Sequence, residues 1–203
     1  MKPAFAYGSV LAIVATIAVM VVAIPAARAA DSLSLSFSSY SASPVVVTHF
    51  SIEQELAPIT PEIASGEADL GMPRMAGAKA LSLPHDKGRD GKWLVSAQWV
   101  ELPTDKAWTS TIEVPIRDLS VAYDSYTLLV IFGPNGELLI GSDKIGNQSG
   151  DRVDVARNCG VRRPSADRVW RQETGYFPQL PIIMKNPQKP ANVSPFCPQP
   201  TEG

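Results

Sequence analysis

Tyr126-Thr127-Leu128-Leu129-Val130-Ile131-Phe132-Gly133-Pro134-Asn135-Gly136-Glu137-Leu138-Leu139-Ile140 is the stretch on which the fold turns. Two apolar runs of strand length flank Gly133-Pro134-Asn135-Gly136. Proline presets φ at a turn, while asparagine and glycine accept the positive φ that tight hairpins demand. The reading is a β-hairpin. The run from Tyr126 to Phe132 is apolar at nearly every position, so both faces need cover and the strand belongs in the middle of a sheet.

Upstream, Thr109 to Ile116 alternates Ile112, Val114 and Ile116 with Thr111, Glu113 and Pro115. That is the period of a half-buried strand. Proline cannot donate a ladder hydrogen bond, so this strand lies at an edge or ends at Pro115. Trp93 to Leu102 is a further strand, rich in tryptophan and valine. Val45 to Ile52 reads as a strand with Val46, Thr48, Phe50 and Ile52 on one face, and His49 on the face of Val45. Ser32 to Phe37 alternates serine with Leu33, Leu35 and Phe37, and is expected to pair antiparallel with Val45–Ile52 across the turn residues 38–44. Residues 53–91, punctuated by Pro58, Pro61, Pro73 and Pro84, read as a long irregular connection with one short helical turn.

Downstream of Gly141 the chain turns polar, and Ser142 to Arg157 reads as solvated loop. Pro164-Ser165-Ala166-Asp167 has the chemistry of a helix start, with Ser165 as cap, Asp167 in the first turn and a short helix reaching Gln172. Seven prolines between Phe177 and Pro200 make residues 177–203 an extended, proline-rich extension. The expected fold is therefore mainly β. It is an antiparallel sandwich or small open barrel of five to seven strands, with long irregular loops, one short helix and the C-terminal extension.

The N-terminus carries a different signal. Lys2 is followed by an uncharged apolar run from Val10 to Ile24, then Pro25 and Ala27-Arg28-Ala29. Charge, apolar core, helix breaker and A-x-A are the parts of a cleavable export signal. The apolar run is about 15 residues, short of the roughly 20 that span a bilayer. Residues 1–29 are read as the signal and 30–203 as a single domain in the periplasm, with no stable membrane insertion after cleavage. Lys2 and Arg28 leave with the signal, so 16 basic residues face 20 acidic ones. A net charge of about −4 gives no electrostatic reason to bind nucleic acid. The two cysteines, Cys159 and Cys197, are expected to close in an oxidising compartment, and do not form the C-x-x-C of a redox pair. A bridge over 38 positions is worth roughly 4 kcal/mol in the chain-entropy model.

No recognised catalytic motif appears. There is no nucleophile elbow, P-loop or dinucleotide fingerprint. His49 reads as a structural histidine, and His85 beside Asp86 and Asp90 lacks metal-ligand spacing. The expectation is a protein without enzymatic activity, metal or cofactor. Arg162, Arg163, Arg168 and Arg171 cluster beside Trp170 and Tyr176, and arginine with large aromatics dominates interface hot spots. This cluster is the candidate partner-binding region. A second candidate is acidic: Glu53, Glu55, Glu62, Glu67 and Asp69 in the irregular connection.

Several landmarks together resemble a known family. They are the strand end near Tyr40, Phe50-Ser51-Ile52, Leu83-Pro84, Val95-Ser96-Ala97-Gln98-Trp99, Ala107-Trp108 leading to Ile112-Glu113-Val114-Pro115-Ile116, and Leu128–Phe132 running into Pro134-Asn135-Gly136. Their order is similar to that of bacterial envelope proteins, many of them lipoproteins, whose genes neighbour type VI secretion lipase effectors. Some members are immunity proteins. The resemblance covers residues 33–140 and implies a protein that binds a toxic phospholipase in the periplasm and blocks it. Other expectations stand beside it: an accessory subunit of an envelope secretion complex, or a periplasmic hydrolase without a recognisable motif.

Overall fold

The computed structural model describes residues 30–40, 43–56, 62–64, 68, 78–143, 151–168 and 196–199. Its strands are β1 (Ser32–Ser39), β2 (Val45–Ile52), β3 (Glu55–Leu56), β4 (Glu62–Ala64), β5 (Lys79–Ser82), β6 (Lys92–Glu101), β7 (Lys106–Pro115), β8 (Val121–Ala122), β9 (Ser125–Gly133), β10 (Glu137–Asp143), β11 (Arg152–Cys159) and β12 (Val161–Arg162). They form two sheets. The first has the order β11-β10-β9-β1-β5, with β8 also paired to β9. The second has the order β12-β7-β6-β2-β3, with β4 also paired to β2. The sheets face each other as a sandwich, and the mainly β reading holds. Residues 1–29, read as an export signal, lie outside the described residues, as do Trp170, Arg171 and Tyr176.

The hairpin is where the sequence places it. β9 and β10 pair antiparallel with Gly133 opposite Glu137. Asn135 and Gly136 have φ of 59° and 79°. A β-carbon on Gly136 would stand 2.3 Å from the Trp108 ring, so both backbone and packing require glycine. β9 is buried on both faces, for two reasons. Leu128, Val130 and Phe132 point into the core between the sheets. Leu129 and Ile131 point outward, where Tyr40, Ala68 and Leu139 cover them.

Across the core, Leu33 and Leu35 of β1 join the β9 side chains against Val47, Phe50, Trp93, Val95 and Trp99 of the second sheet. Phe37 meets Phe50 edge-on at 4.9 Å, Trp93 meets Tyr126 at 5.7 Å and Trp99 meets Phe132 at 5.0 Å. These pairs tie the sheets together; truncating a fully buried aromatic of this kind costs about 3–5 kcal/mol.

The structure corrects four expectations. First, β1 does not pair with β2. It runs parallel to β9, with Ser32 opposite Ser125 and Ser39 opposite Phe132, and antiparallel to β5. Between Ser39 and Val45 the chain passes from one sheet to the other. Tyr40 N–H reaches Phe132 O, and Pro44 O accepts from Leu102. Second, β2 does not keep one face. Its pairing with β6 slips between Val47 and His49. Thr48 is the extra residue of a β-bulge, and a one-residue slip reverses every later side chain. Val45 and Val47 face the core, then Phe50 and Ile52 do, while His49 is turned out to solvent.

Third, Arg152 to Arg157 is strand, not loop. β11 is an edge strand, on which Asp154, Arg157 and Asn158 are exposed and Arg152 is largely covered. The long connection likewise holds β3, β4 and β5. Fourth, Pro164–Ala166 is a single 3-10 turn, and no α-helix occurs among the described residues. Asp167 leaves the turn with ψ of 137°, because its carboxylate is engaged elsewhere, as described next.

Candidate functional site

The sheets are bridged on one side by a continuous ribbon, β11–Gly160–β12. Gly160 is needed at the crossing. Its N–H donates to Gly136 O at 2.7 Å, and a β-carbon there would sit 3.0 Å from the carbonyl oxygens of both Gly136 and Thr109. Asn158 Nδ2 donates to Thr111 O at 2.9 Å, fastening the end of β11 to β7.

Alternate residues of this ribbon form an outward stripe: Arg157, Cys159, Val161 and Arg163. Cys159 is bonded to Cys197, with Cα atoms 5.7 Å apart. The bridge brings Phe196 over Arg157, the guanidinium carbon 4.9 Å from the ring centroid. Asn135 Nδ2 donates to Cys197 O at 3.1 Å, so the hairpin turn also holds this segment. Phe196 is 55% exposed and Val161 69% exposed. Phe196 and Val161 thus stand in water beside Arg157, whose guanidinium is paired with Glu137 at 3.0 Å and Asp154 at 3.3 Å.

The stripe ends at a groove of about 520 Å³ on the outer face of the second sheet. Its floor is set by strand register. His49, Gln98 and Thr109 form one row and Ser51, Ser96 and Thr111 the next. Arg163, Ser165 and Ala166 form a wall. Gln98 Nε2 donates to Thr48 Oγ1 at 3.0 Å and lies 3.2 Å from His49 Nδ1. Ser96 and Thr111 hydroxyls meet at 2.9 Å. The floor is therefore an array of neutral donors and acceptors, and the described residues lining the groove include no carboxylate.

The predicted arginines divide by role. Arg162 is turned into the chain. Its two Nη atoms grip Asp167 at 2.9 Å each, and its guanidinium lies 5.3 Å from the Trp108 ring centroid. Asp167 Oδ1 also accepts from the Ala107 N–H at 2.7 Å. The Arg162 hydrogen bonds hold the Asp167 carboxyl below its ordinary range, and the Ala107 N–H adds to the effect. Arg163 is exposed and lines the groove. Arg168 is exposed and pairs with Asp105 at 3.5 Å. Val161 and Phe196 were not singled out in the sequence; alternation from Cys159 would have found the first, and only the disulfide brings in the second.

The other candidates fill structural places. Glu53 is buried, and its Oε1 accepts from the Leu94 N–H at 2.5 Å. Glu55 lies 3.4 Å from Lys87 Nζ, and Glu62 pairs with Lys79. Glu67 and Asp69 lie outside the described residues. Asp86 and Asp90 accept from the Gly91 and Lys92 N–H groups, closing the turn after His85.

Comparison with known proteins finds no matching family model, no matching curated protein and no matching solved structure.

Proposed function

We propose that this chain is an exported binding protein of the bacterial envelope, an immunity protein that neutralises a type VI secretion phospholipase in the periplasm by docking over its active-site entrance. The observation that carries the reading is the outward stripe of Arg157, Val161 and Arg163 with Phe196 and the adjoining groove. Arginine and aromatic side chains on a rigid edge are the groups that dominate protein interfaces. The Cys159–Cys197 bond fits a protein that works where thiols oxidise. The family resemblance supplies the partner class, and most of its landmarks fall on β2, β6, β7 and the β9–β10 hairpin, the frame that carries the stripe.

A complex of ordinary size buries about 1,600 Å² in total, which the stripe and groove can supply together with neighbouring surface. The test is calorimetric titration of the mature protein with a catalytically dead type VI phospholipase effector. We expect a saturable one-to-one complex, weakened at least about tenfold, the loss of one hot-spot residue, by Val161→Asp or Arg163→Glu. Binding equal to wild type in both variants removes this face from the proposal.

A further inference from the structure

Five arginines fall between residues 152 and 168, and four of them face a carboxylate of the chain itself. Arg152 pairs with Asp154 at 2.7 Å, Arg157 with Glu137 at 3.0 Å, Arg162 with Asp167 at 2.9 Å and Arg168 with Asp105 at 3.5 Å. Arg163 is the fifth, and no described carboxylate meets it. Its backbone is held on both sides. The Arg163 N–H donates to Ala107 O, and its carbonyl accepts from the Ala166 N–H, each at 2.9 Å. Ala166 in turn packs on Val100 and Ala107, so the Pro164–Ala166 turn stands on the outer face of the second sheet as a wall. A fixed backbone thus presents an exposed guanidinium to the groove.

The floor beside it is arranged to donate. The bulge residue Thr48 gives its hydroxyl hydrogen to Gln98 O at 3.1 Å. Its oxygen must then accept from Gln98 Nε2, at 3.0 Å, and the second amide hydrogen of Gln98 faces His49 Nδ1 at 3.2 Å. His49 Nδ1 is therefore an acceptor, which leaves the ring hydrogen on Nε2, where no described group takes it. Ser96 and Thr111 share one hydrogen bond, so one of their two hydroxyl hydrogens is still free to give. One row further along, Leu94 lies opposite Glu113, which is engaged with Lys92, and Glu53 is buried nearby. Negative charge on a ligand is therefore favoured at the Arg163 end alone.

A guanidinium matches a planar, two-oxygen anion with two parallel hydrogen bonds. Phosphate recognition gathers clusters of arginine, whereas this groove has one. Side chains on one face of β2, β6 and β7 repeat every second residue, which is also the repeat of an extended chain laid along them. We infer that the groove receives a carboxylate side chain, carried on an extended segment of the partner protein, with the carboxylate on Arg163 and the segment along the Ser51 and Ser96 floor. The inference deepens the proposed function and rests on it for the partner, while the site can be tested on this chain alone.

The test follows amide chemical shifts of the ¹⁵N-labelled protein during titration with the capped peptide acetyl-Ser-Val-Glu-Val-Ser-amide. The same peptide with glutamine or phosphoserine in place of glutamate, and sodium acetate, are titrated in parallel. The glutamate peptide should shift Ser51, Ser96, Gln98 and Arg163. It should bind at least about tenfold more tightly than the glutamine peptide, the worth of a charge-assisted hydrogen bond. Arg163→Gln should bring the two peptides within about twofold of each other, and Arg163→Lys, which lacks the fork, should bind the glutamate peptide about threefold more weakly or worse. Both variants should melt within about 2 °C of wild type, because the side chain is exposed. A larger fall in both makes Arg163 a structural residue and overturns the site, as does equal or absent response to the glutamate and glutamine peptides. Tighter binding of the phosphoserine peptide overturns the carboxylate. Acetate bound as tightly as the peptide overturns the protein segment and makes a free acid the ligand. A dead type VI phospholipase effector that binds wild type and Arg163→Gln equally overturns the site and leaves the proposed function standing. Glutamate-peptide binding without effector binding removes the proposed function and leaves the site.

Discussion

Gly136 is the residue on which the two halves of the molecule meet. Its positive φ makes the hairpin turn, its bare α-carbon lies against Trp108, its N–H donates to Glu101 Oε1 at 3.0 Å, and its carbonyl accepts from Gly160. Gly136→Ala should destabilise the protein by about 2–4 kcal/mol, combining strain at positive φ with overpacking. A urea melt that moves by less than about 0.5 kcal/mol would contradict this. Glu101 is 6% exposed. Burial raises its pKa, while the Gly136 N–H and the Thr104 hydroxyl pull it back. Burial raises the Glu137 pKa as well, opposed by Arg157. A carboxyl whose folded pKa lies above its unfolded one contributes stability that is complete below the unfolded value and is lost as pH rises through the folded one. The stability of wild type relative to Glu101→Gln should therefore fall between about pH 4 and about pH 8. Urea unfolding at the two pH values reads this, and a difference unchanged by pH would refute it.

At the scale of elements, the β2 bulge decides which side chains form the groove. Because Thr48 is the extra residue, deleting it leaves His49 opposite Gln98 and keeps Phe50 and Ile52 on the core side, removing only the bulge and its hydrogen bonds with Gln98. The expected cost is about 1–2 kcal/mol, that of such hydrogen bonds, and thermal melting checks it; a loss above about 4 kcal/mol would show that Phe50 had left the core. The C-terminal staple is a second device. Cys159→Ser with Cys197→Ser should lower stability by roughly 4 kcal/mol in the chain-entropy model and release Phe196 from Arg157, whereas reduction of wild type with thiol should reproduce the loss. The β9–β10 hairpin, the end of β7 at Pro115 and the central place of β9 were legible because each depends on neighbours in sequence. The bulge was not, because alternation along Val45–Ile52 is nearly all apolar and hides a slip. The parallel β1–β9 pair was not, because nothing local reports a partner 93 positions away. β11 was missed because an edge strand carries the same charged residues as a loop. Arg162 looked like a binding residue beside Arg163, and only the Asp167 fork separates the two.

Taken whole, the molecule is a rigid sandwich whose recognisable chemistry lies on its outside. The aromatic core fixes two sheets, the β11–Gly160–β12 ribbon bridges them, and the ribbon presents Arg157, Val161 and Arg163 in a line. Rigid edges of this kind bind without first ordering a loop, which keeps the entropic cost of association low. The central claim is that the protein protects a cell from a phospholipase in the periplasm. The most direct measurement is survival of bacteria that direct a type VI phospholipase effector to the periplasm, with the full chain co-expressed. The account predicts that viability returns to that of cells carrying the catalytically dead effector, and that Val161→Asp and Arg163→Glu lose the protection while still accumulating. Killing unchanged by wild-type protein that accumulates in the periplasm would contradict it.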